Sequence, residues 1–121
     1  MKEEEYQKML NMLIEATETK KIVWDEEPNS KGAYSTFIGG CPVKIWKDYN
    51  FHTGEDSYTL VLANPDERVF STCSYCEGDD SEYYTQLSRL YLVISDVVYR
   101  ISESEKLILD GLKEMLGGKQ D

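Results

Sequence analysis

The sequence predicts an α+β fold, with a four- to five-stranded antiparallel meander packed on one face by an N-terminal helix and two C-terminal helices. Two kinds of hydrophobic spacing indicate this fold. Apolar residues recur every three to four positions near both ends of the 121-residue chain, which is typical of helices. In the middle of the chain they alternate with polar residues, as in half-buried strands. The links between the alternating runs are short, so consecutive strands are expected to pair antiparallel.

The first helix is predicted from one apolar stripe near the N-terminus. The stripe consists of Tyr6, Met9, Leu10, Leu13, Ile14 and Thr17. Glutamates precede it and Lys20 and Lys21 follow it, an order that matches the helix dipole. The β-branched pair Ile22 and Val23 then favours a short extended segment. Trp24, which ends this segment, is expected to cap the core.

Four strand-like runs follow a loop at residues 28–32. They cover residues 33–38, 42–49, 57–63 and 68–74. In the second run, Val43 and Ile45 are expected to face the core, while Lys44 and Trp46 face the other side of the sheet. The third run repeats this alternation. The connections carry Gly, Asn and Pro, which are typical turn residues.

Two further helices are predicted after the strands. Asp79 and Asp80 precede Ser81 and Glu82, which is a typical helix start. The second helix has an apolar stripe of Tyr83, Leu87, Leu90, Tyr91, Ile94, Val97 and Val98. The third begins with a capping sequence at residues 102–105 and presents Leu107, Ile108, Leu112, Met115 and Leu116. Both stripes are expected against one sheet face. The predicted single domain spans residues 1–118, and residues 119–121 are expected to form a frayed tail.

The charge of the chain favours some partners over others. It has 23 acidic and 13 basic residues, a net charge of −10. This excess disfavours direct binding to nucleic acid and to anionic membranes, and favours a protein partner with a basic surface. The sequence does not decide between a monomer and a homodimer. No apolar run is long enough to cross a bilayer, and the acidic N-terminus is unlike a secretory signal. We therefore expect a cytoplasmic protein with reduced cysteines.

Acidic residues gather in the predicted turns. If several of these turns meet at one edge of the sheet, they form a negative surface that a basic groove can recognise. Tyrosines flank one of these turns, and tyrosine is enriched at protein interfaces. The candidate partner-binding residues are therefore Glu55, Asp56, Tyr75, Glu77, Asp79, Asp80, Glu82 and Tyr83. A specific version of this hypothesis is a nucleic-acid mimic, whose carboxylates take the place of phosphates.

A thiol or zinc-binding protein that uses Cys73, Cys76 and Cys41 is the alternative. A tetrahedral zinc site needs four ligands, and Cys73 and Cys76 supply two of them. Cys41 and His52 flank one predicted strand, so they lie roughly 25–30 Å apart at about 3.3 Å per residue. Only one of them can therefore join the pair. The acidic residues after Cys76 are unfavourable neighbours for a thiolate, which disfavours redox catalysis.

The sequence predicts that the chain is not an enzyme. The single histidine, His52, lies in a polar turn without the nucleophile or carboxylate partner that acid–base catalysis requires. No phosphate-binding loop and no paired catalytic acids accompany it. No cofactor is expected. The side chains that the sequence offers instead suit a protein that acts by binding.

The opening of the chain resembles a known group of proteins. Residues 10–17, followed by Lys21 and Trp24, are similar to a group of small, uncharacterised bacterial and phage-borne proteins. In that group a Leu-x-x-Leu-Ile-Glu-Ala-Thr helix precedes a Trp and Tyr/Thr-rich strands. A Leu-Tyr helix, here at residues 87–91, and a last helix with an Asp, here Asp110, continue the pattern. The resemblance implies an accessory or host-interacting role, and no catalytic or binding residues carry over from it.

Overall fold

The computed structural model describes residues 2–78 and 82–117. The elements in chain order are α1 (Glu3–Glu18), β1 (Asp25–Glu26), β2 (Ala33–Ile38), β3 (Cys41–Asn50), β4 (Glu55–Ala63), β5 (Val69–Cys76), α2 (Glu82–Tyr99) and α3 (Ile101–Met115). The strands form one sheet in the order β1-β2-β3-β4-β5, and each neighbouring pair is antiparallel. The predicted α+β meander with one N-terminal and two C-terminal helices is confirmed. Its short first strand lies just after Trp24.

The register of the sheet places the core on one face. Tyr34 pairs with Ile45, Ile45 pairs with Leu60, and Leu60 pairs with Cys73. Tyr34, Ile45 and Leu60 are almost completely buried, while Trp46 on the other face is only partly buried. The alternation predicted for β3 is therefore confirmed, whereas in β4 Thr59 and Ala63 on the other face are buried as well. One solvated face is common in antiparallel sheets of this kind.

The first two helices lie side by side over the core face. Gln7 Nε2 donates a hydrogen bond to Glu82 Oε2 at 3.1 Å, and Gln86 Nε2 donates to Asn11 Oδ1 at 3.0 Å. The first bond joins the start of α1 to the start of α2, and the second lies four residues further along both helices. The two helices therefore run parallel. The buried residues of these two helices complete the core: Leu10, Leu13, Ile14, Leu87, Leu90 and Ile94.

The third helix departs from the expected packing. No residue of α3 is buried, and Ile108 and Leu112 are 63% and 50% exposed. The expectation that this stripe contacts the sheet is therefore wrong. Arg100, between α2 and α3, has the left-handed backbone conformation with φ of 53°, which breaks the helix and turns the chain. Since α1 and α2 already cover the core face, α3 is left at the surface.

Some predictions fall outside the described residues. Asp79, Asp80 and Ser81, the expected cap of α2, are among them, as are Gly118 and the expected tail at 119–121. Within the described part of the chain, no helix combines the length and apolarity needed to cross a membrane.

Candidate interaction surfaces

Carboxylates from the start of β4 and from the residue after β5 lie at one end of the sheet. Glu77 N donates a hydrogen bond to Asp56 O at 2.9 Å, and Asp56 N donates to Glu77 Oε1 at 3.3 Å. Gly78 N donates to Glu55 Oε2 at 3.1 Å. These bonds tie the start of β4 to the end of β5. We call the resulting cluster of Glu55, Asp56 and Glu77 the acidic surface.

Gly78 permits the close approach within the acidic surface. A Cβ atom at this position would lie 2.6 Å from Glu55 Oε2. That separation is shorter than van der Waals contact, so any larger residue would displace the carboxylate. The glycine therefore allows Glu55 to accept the hydrogen bond from the backbone.

Tyrosine rings lie beside the acidic surface. The ring centroids of Tyr75 and Tyr83 are 5.3 Å apart, so the structure brings these two predicted site residues together. Burial raises the pKa of Tyr83 to about 12, with a smaller contribution from a hydrogen bond to Glu3. Burial also raises the pKa of Tyr84, and the charges of Glu77 and Asp56 add to this effect. The phenols next to the carboxylates therefore stay protonated at neutral pH.

Only part of the predicted acidic set converges. Glu77 accepts a hydrogen bond from Asp56 N, and Glu55 accepts one from Gly78 N. Glu82 begins α2 and bonds to α1. Asp79 and Asp80, which the sequence also proposed, lie outside the described residues. Other acidic turns are elsewhere, because residues 64–67 connect β4 to β5 at the opposite end of the sheet. Lys47 Nζ lies 3.4 Å from Asp56 Oδ2 and partly neutralises the cluster.

The cysteines do not form a joint site. Cys73 pairs with Leu60 and Cys76 pairs with Ser57, so their side chains point to opposite faces of β5. Cys41 lies at the start of β3, next to the β2–β3 turn. Cys41, Cys73 and Cys76 form no disulfide with one another. Among residues 2–78 and 82–117, no group of three His, Cys, Asp or Glu side chains could hold a metal ion.

His52 lies in the exposed β3–β4 turn, as expected from the sequence. Its backbone N donates a hydrogen bond to Asn50 Oδ1 at 2.9 Å. The adjacent Phe51 is 89% exposed, so this turn offers no enclosed pocket for acid–base chemistry.

A large apolar surface on α3 was missed as a functional feature. Six aliphatic side chains are at least half exposed: Leu107 64%, Ile108 63%, Leu109 52%, Leu112 50%, Met115 81% and Leu116 76%. We call this set the α3 stripe. Its spacing was visible in the sequence, but spacing shows only that a helix face is apolar. It does not show whether the rest of the chain covers that face.

A second apolar feature lies along α1. A groove of about 400 Å³ is lined by Met9, Met12, Leu13, Ala16, Ile22 and Ile38, with Glu5 and Lys8 at its rim. A smaller cavity of about 160 Å³ shares Met9, Leu13 and Ile38 with it and extends to Phe70. We call the larger of the two the α1 groove. It opens where α1 leaves the end of the β2–β3 hairpin incompletely covered.

No family model, curated protein or solved structure matches this chain. The relation of the opening segment to bacterial and phage-borne proteins therefore stays a prediction.

Proposed function

We propose that the chain is a small, non-enzymatic interaction protein that binds a basic protein partner through the acidic surface. One observation carries this proposal. Glu55 begins β4 and Glu77 follows the end of the neighbouring β5, and the backbone N–H groups of Gly78 and Asp56 hold their two carboxylates in place. Charged turns that only keep a protein soluble have no need for such ties. A positioned set of carboxylates is preorganised to receive cationic side chains.

The neighbouring tyrosines strengthen this assignment. A partner arginine can bond to a carboxylate while its guanidinium lies over a tyrosine ring. Tyrosine and arginine are also the residues that dominate binding energy at protein interfaces. The net charge of −10 adds a long-range field that accelerates encounter with a basic partner. The acidic surface and its tyrosines therefore suit recognition of an arginine-rich or lysine-rich protein segment.

The proposed setting is a reducing cytoplasm, with an accessory role such as the resemblance implies. In its most specific form, the carboxylates occupy a groove that otherwise binds phosphates. The thiol or zinc alternative has less support, because Cys73 and Cys76 face opposite sides of β5. A site that used one of them would need ligands from another molecule.

Amide substitutions test the proposal while keeping the hydrogen-bond acceptors. The variant Glu55→Gln/Asp56→Asn/Glu77→Gln removes three charges from the acidic surface. The control Asp25→Asn/Asp66→Asn/Glu67→Gln removes the same charge elsewhere. The probe is an array of lysine-rich and arginine-rich peptides, followed by affinity measurements on those that bind. Three exposed ion pairs, each contributing about 0.2–1 kcal/mol, predict about a tenfold loss of affinity.

The control variant decides the outcome. We expect it to bind the peptides nearly as well as the unmodified protein, and we expect all binding to weaken with added salt. Equal losses in the two variants would show that net charge alone attracts the peptides. Failure of every peptide to bind at low salt would contradict the proposal as well.

A further inference from the structure

We propose that this chain forms a symmetric dimer in which α3 of each copy occupies the α1 groove of the other copy. The α3 stripe and the α1 groove are both apolar and uncovered, and they lie on the same chain. An exchange of α3 would cover both features at once. Because the acidic surface takes no part in it, this dimer is tested independently of the proposed function.

The exposed area on α3 is sufficient for a specific contact. Six aliphatic side chains exposed by 50% to 81% present on the order of 500 Å² of apolar surface, near the upper end for a monomeric protein. Together with the groove surface that it would cover, each α3 buries on the order of 600 Å². Two symmetric copies of this contact reach the size of a stable interface.

The lengths of the two features match. The α3 stripe runs from Leu107 to Leu116, nine helical steps or about 14 Å. The α1 groove runs beside α1 from Glu5 to Ala16, eleven steps or about 17 Å. The groove can therefore hold the whole apolar part of α3 in the helix-in-groove mode.

The chemistry of the two features is complementary. The groove is lined by two methionines, Met9 and Met12, whose flexible side chains adapt to an incoming helix. Its rim carries one acid and one base, Glu5 and Lys8. The lysines on α3, Lys106 and Lys113, follow one border of its stripe, and Glu114 lies on the opposite border. Both features therefore combine an apolar surface with a few charged residues at its border.

The fold favours a second copy over the chain's own α3. Gln7 and Asn11 of α1 bond to α2, whereas Met12 and Ala16 line the groove. At 100° per residue these pairs lie on nearly opposite sides of α1. Although α3 follows α2 directly, none of its residues lines the groove. In the dimer, a two-fold axis makes the exchange reciprocal and closes the assembly.

Sedimentation over a range of protein concentrations tests the dimer with three variants. Ile108→Asp/Leu112→Asp places charge in the α3 stripe, and Met12→Asp places charge in the groove. Leu92→Asp is the control, because Leu92 is 58% exposed on α2, outside both features. We expect the unmodified protein and the control to dimerise. The other two variants should dimerise about tenfold or more weakly, because the charge would be buried without a partner.

Mixing the two weakened variants gives a result that is specific to the exchange. The groove variant keeps an intact α3, and the α3 variant keeps an intact groove. Their mixture has one intact contact and both substitutions in the other, whereas each variant alone has two damaged contacts. Because a contact that is already lost cannot be weakened further, we expect a heterodimer that forms more tightly than either variant forms with itself. Circular dichroism of each variant checks that the fold is retained.

Three outcomes would overturn the proposal. The first is an unmodified protein that stays monomeric at every concentration. The second is a dimer that the α3 variant disrupts but the groove variant does not, since this would place α3 against α3. The third is a mixture without a heterodimer. An α3 that folds back onto its own groove would give the first of these outcomes.

Discussion

Trp24 Nε1 donates a hydrogen bond to Thr17 Oγ1 at 3.0 Å, and the same hydroxyl donates to Leu13 O at 2.7 Å. Trp24 is 5% exposed and Thr17 is fully buried. The last turn of α1 is thereby joined to the segment that enters the sheet. The sequence placed Thr17 in an apolar stripe, and the structure gives it a polar task there, as the acceptor for the buried indole.

Replacement of Thr17 tests this bond. Thr17→Val keeps the shape of the side chain but leaves the indole N–H of Trp24 without its acceptor. A buried donor without a partner costs about 1–3 kcal/mol, so we expect the free energy of unfolding to fall by that amount. Urea unfolding followed by tryptophan fluorescence measures it. Thr17→Ser retains the hydroxyl and should be more stable than the valine variant; the opposite order would rule out the bond as the cause.

Truncation of the buried face of α2 should be costly. Leu90 and Ile94 have no exposed area, whereas Leu92 on the same helix is 58% exposed. We expect Leu90→Ala and Ile94→Ala each to lower the free energy of unfolding by about 2–5 kcal/mol. Leu92→Ala should change it by less than about 1 kcal/mol. Similar losses for all three variants would mean that the helix stripe is assigned to the wrong side.

The meander was predictable because its cause is local. Short links force neighbouring strands together, and Gly39 and Gly40, with φ of 60° and 78°, adopt the turn conformation that glycine favours. The meeting of Asp56 and Glu77 was predictable only in outline. It depends on the register that pairs Ser57 with Cys76, and a shift of one residue would place these side chains differently.

The position of α3 was not predictable from periodicity. Its apolar spacing resembles that of α2, and both helices have the pattern of a core-facing element. The difference arises at Arg100, whose left-handed conformation ends α2 before α3 can follow the sheet. Arginine is not a residue that signals this conformation. How much of the sheet α1 and α2 already cover is a property of the whole fold.

The link between Tyr99 and Glu26 should control an acidic titration. The Tyr99 hydroxyl and Gly32 N both donate to Glu26 Oε2, and the tyrosine bond is the main reason that the pKa of Glu26 is lowered. A carboxyl whose pKa is lowered by folding stabilises the fold at pH values above its pKa in the unfolded chain. This stabilisation is lost as the pH falls through the lowered pKa. Tyr99→Phe should therefore raise the pKa of Glu26, as measured by NMR titration. Tyr49→Phe is the control, and an unchanged pKa in Tyr99→Phe would contradict the link.

The cysteines are expected to be dispensable for folding. Cys76 is exposed at the end of β5, so Cys76→Ser should lower the free energy of unfolding by less than about 0.5 kcal/mol. Protein purified under reducing conditions should contain no stoichiometric zinc by elemental analysis. One zinc ion per chain, lost together with the fold on chelation, would establish the metal-binding alternative instead.

Buried tyrosines should make the fold sensitive to alkali. Tyr91 is 9% exposed, and its hydroxyl donates to Gly32 O at 2.8 Å. Burial raises the pKa of Tyr91 to about 12, as it does for Tyr83. In an unfolded chain tyrosine has a pKa of about 10, so the unfolded state releases these protons first.

A raised pKa gives stability that is fully present below the unfolded value and lost as pH rises through the folded value. We therefore expect the free energy of unfolding to decline between pH 10 and about 12. Tyrosinate absorbance should rise in two stages, the second together with loss of the circular dichroism signal. Tyr91→Phe removes one of these phenols and should make the decline shallower. A single absorbance step near pH 10 with the fold intact would show that Tyr91 and Tyr83 are not protected by burial.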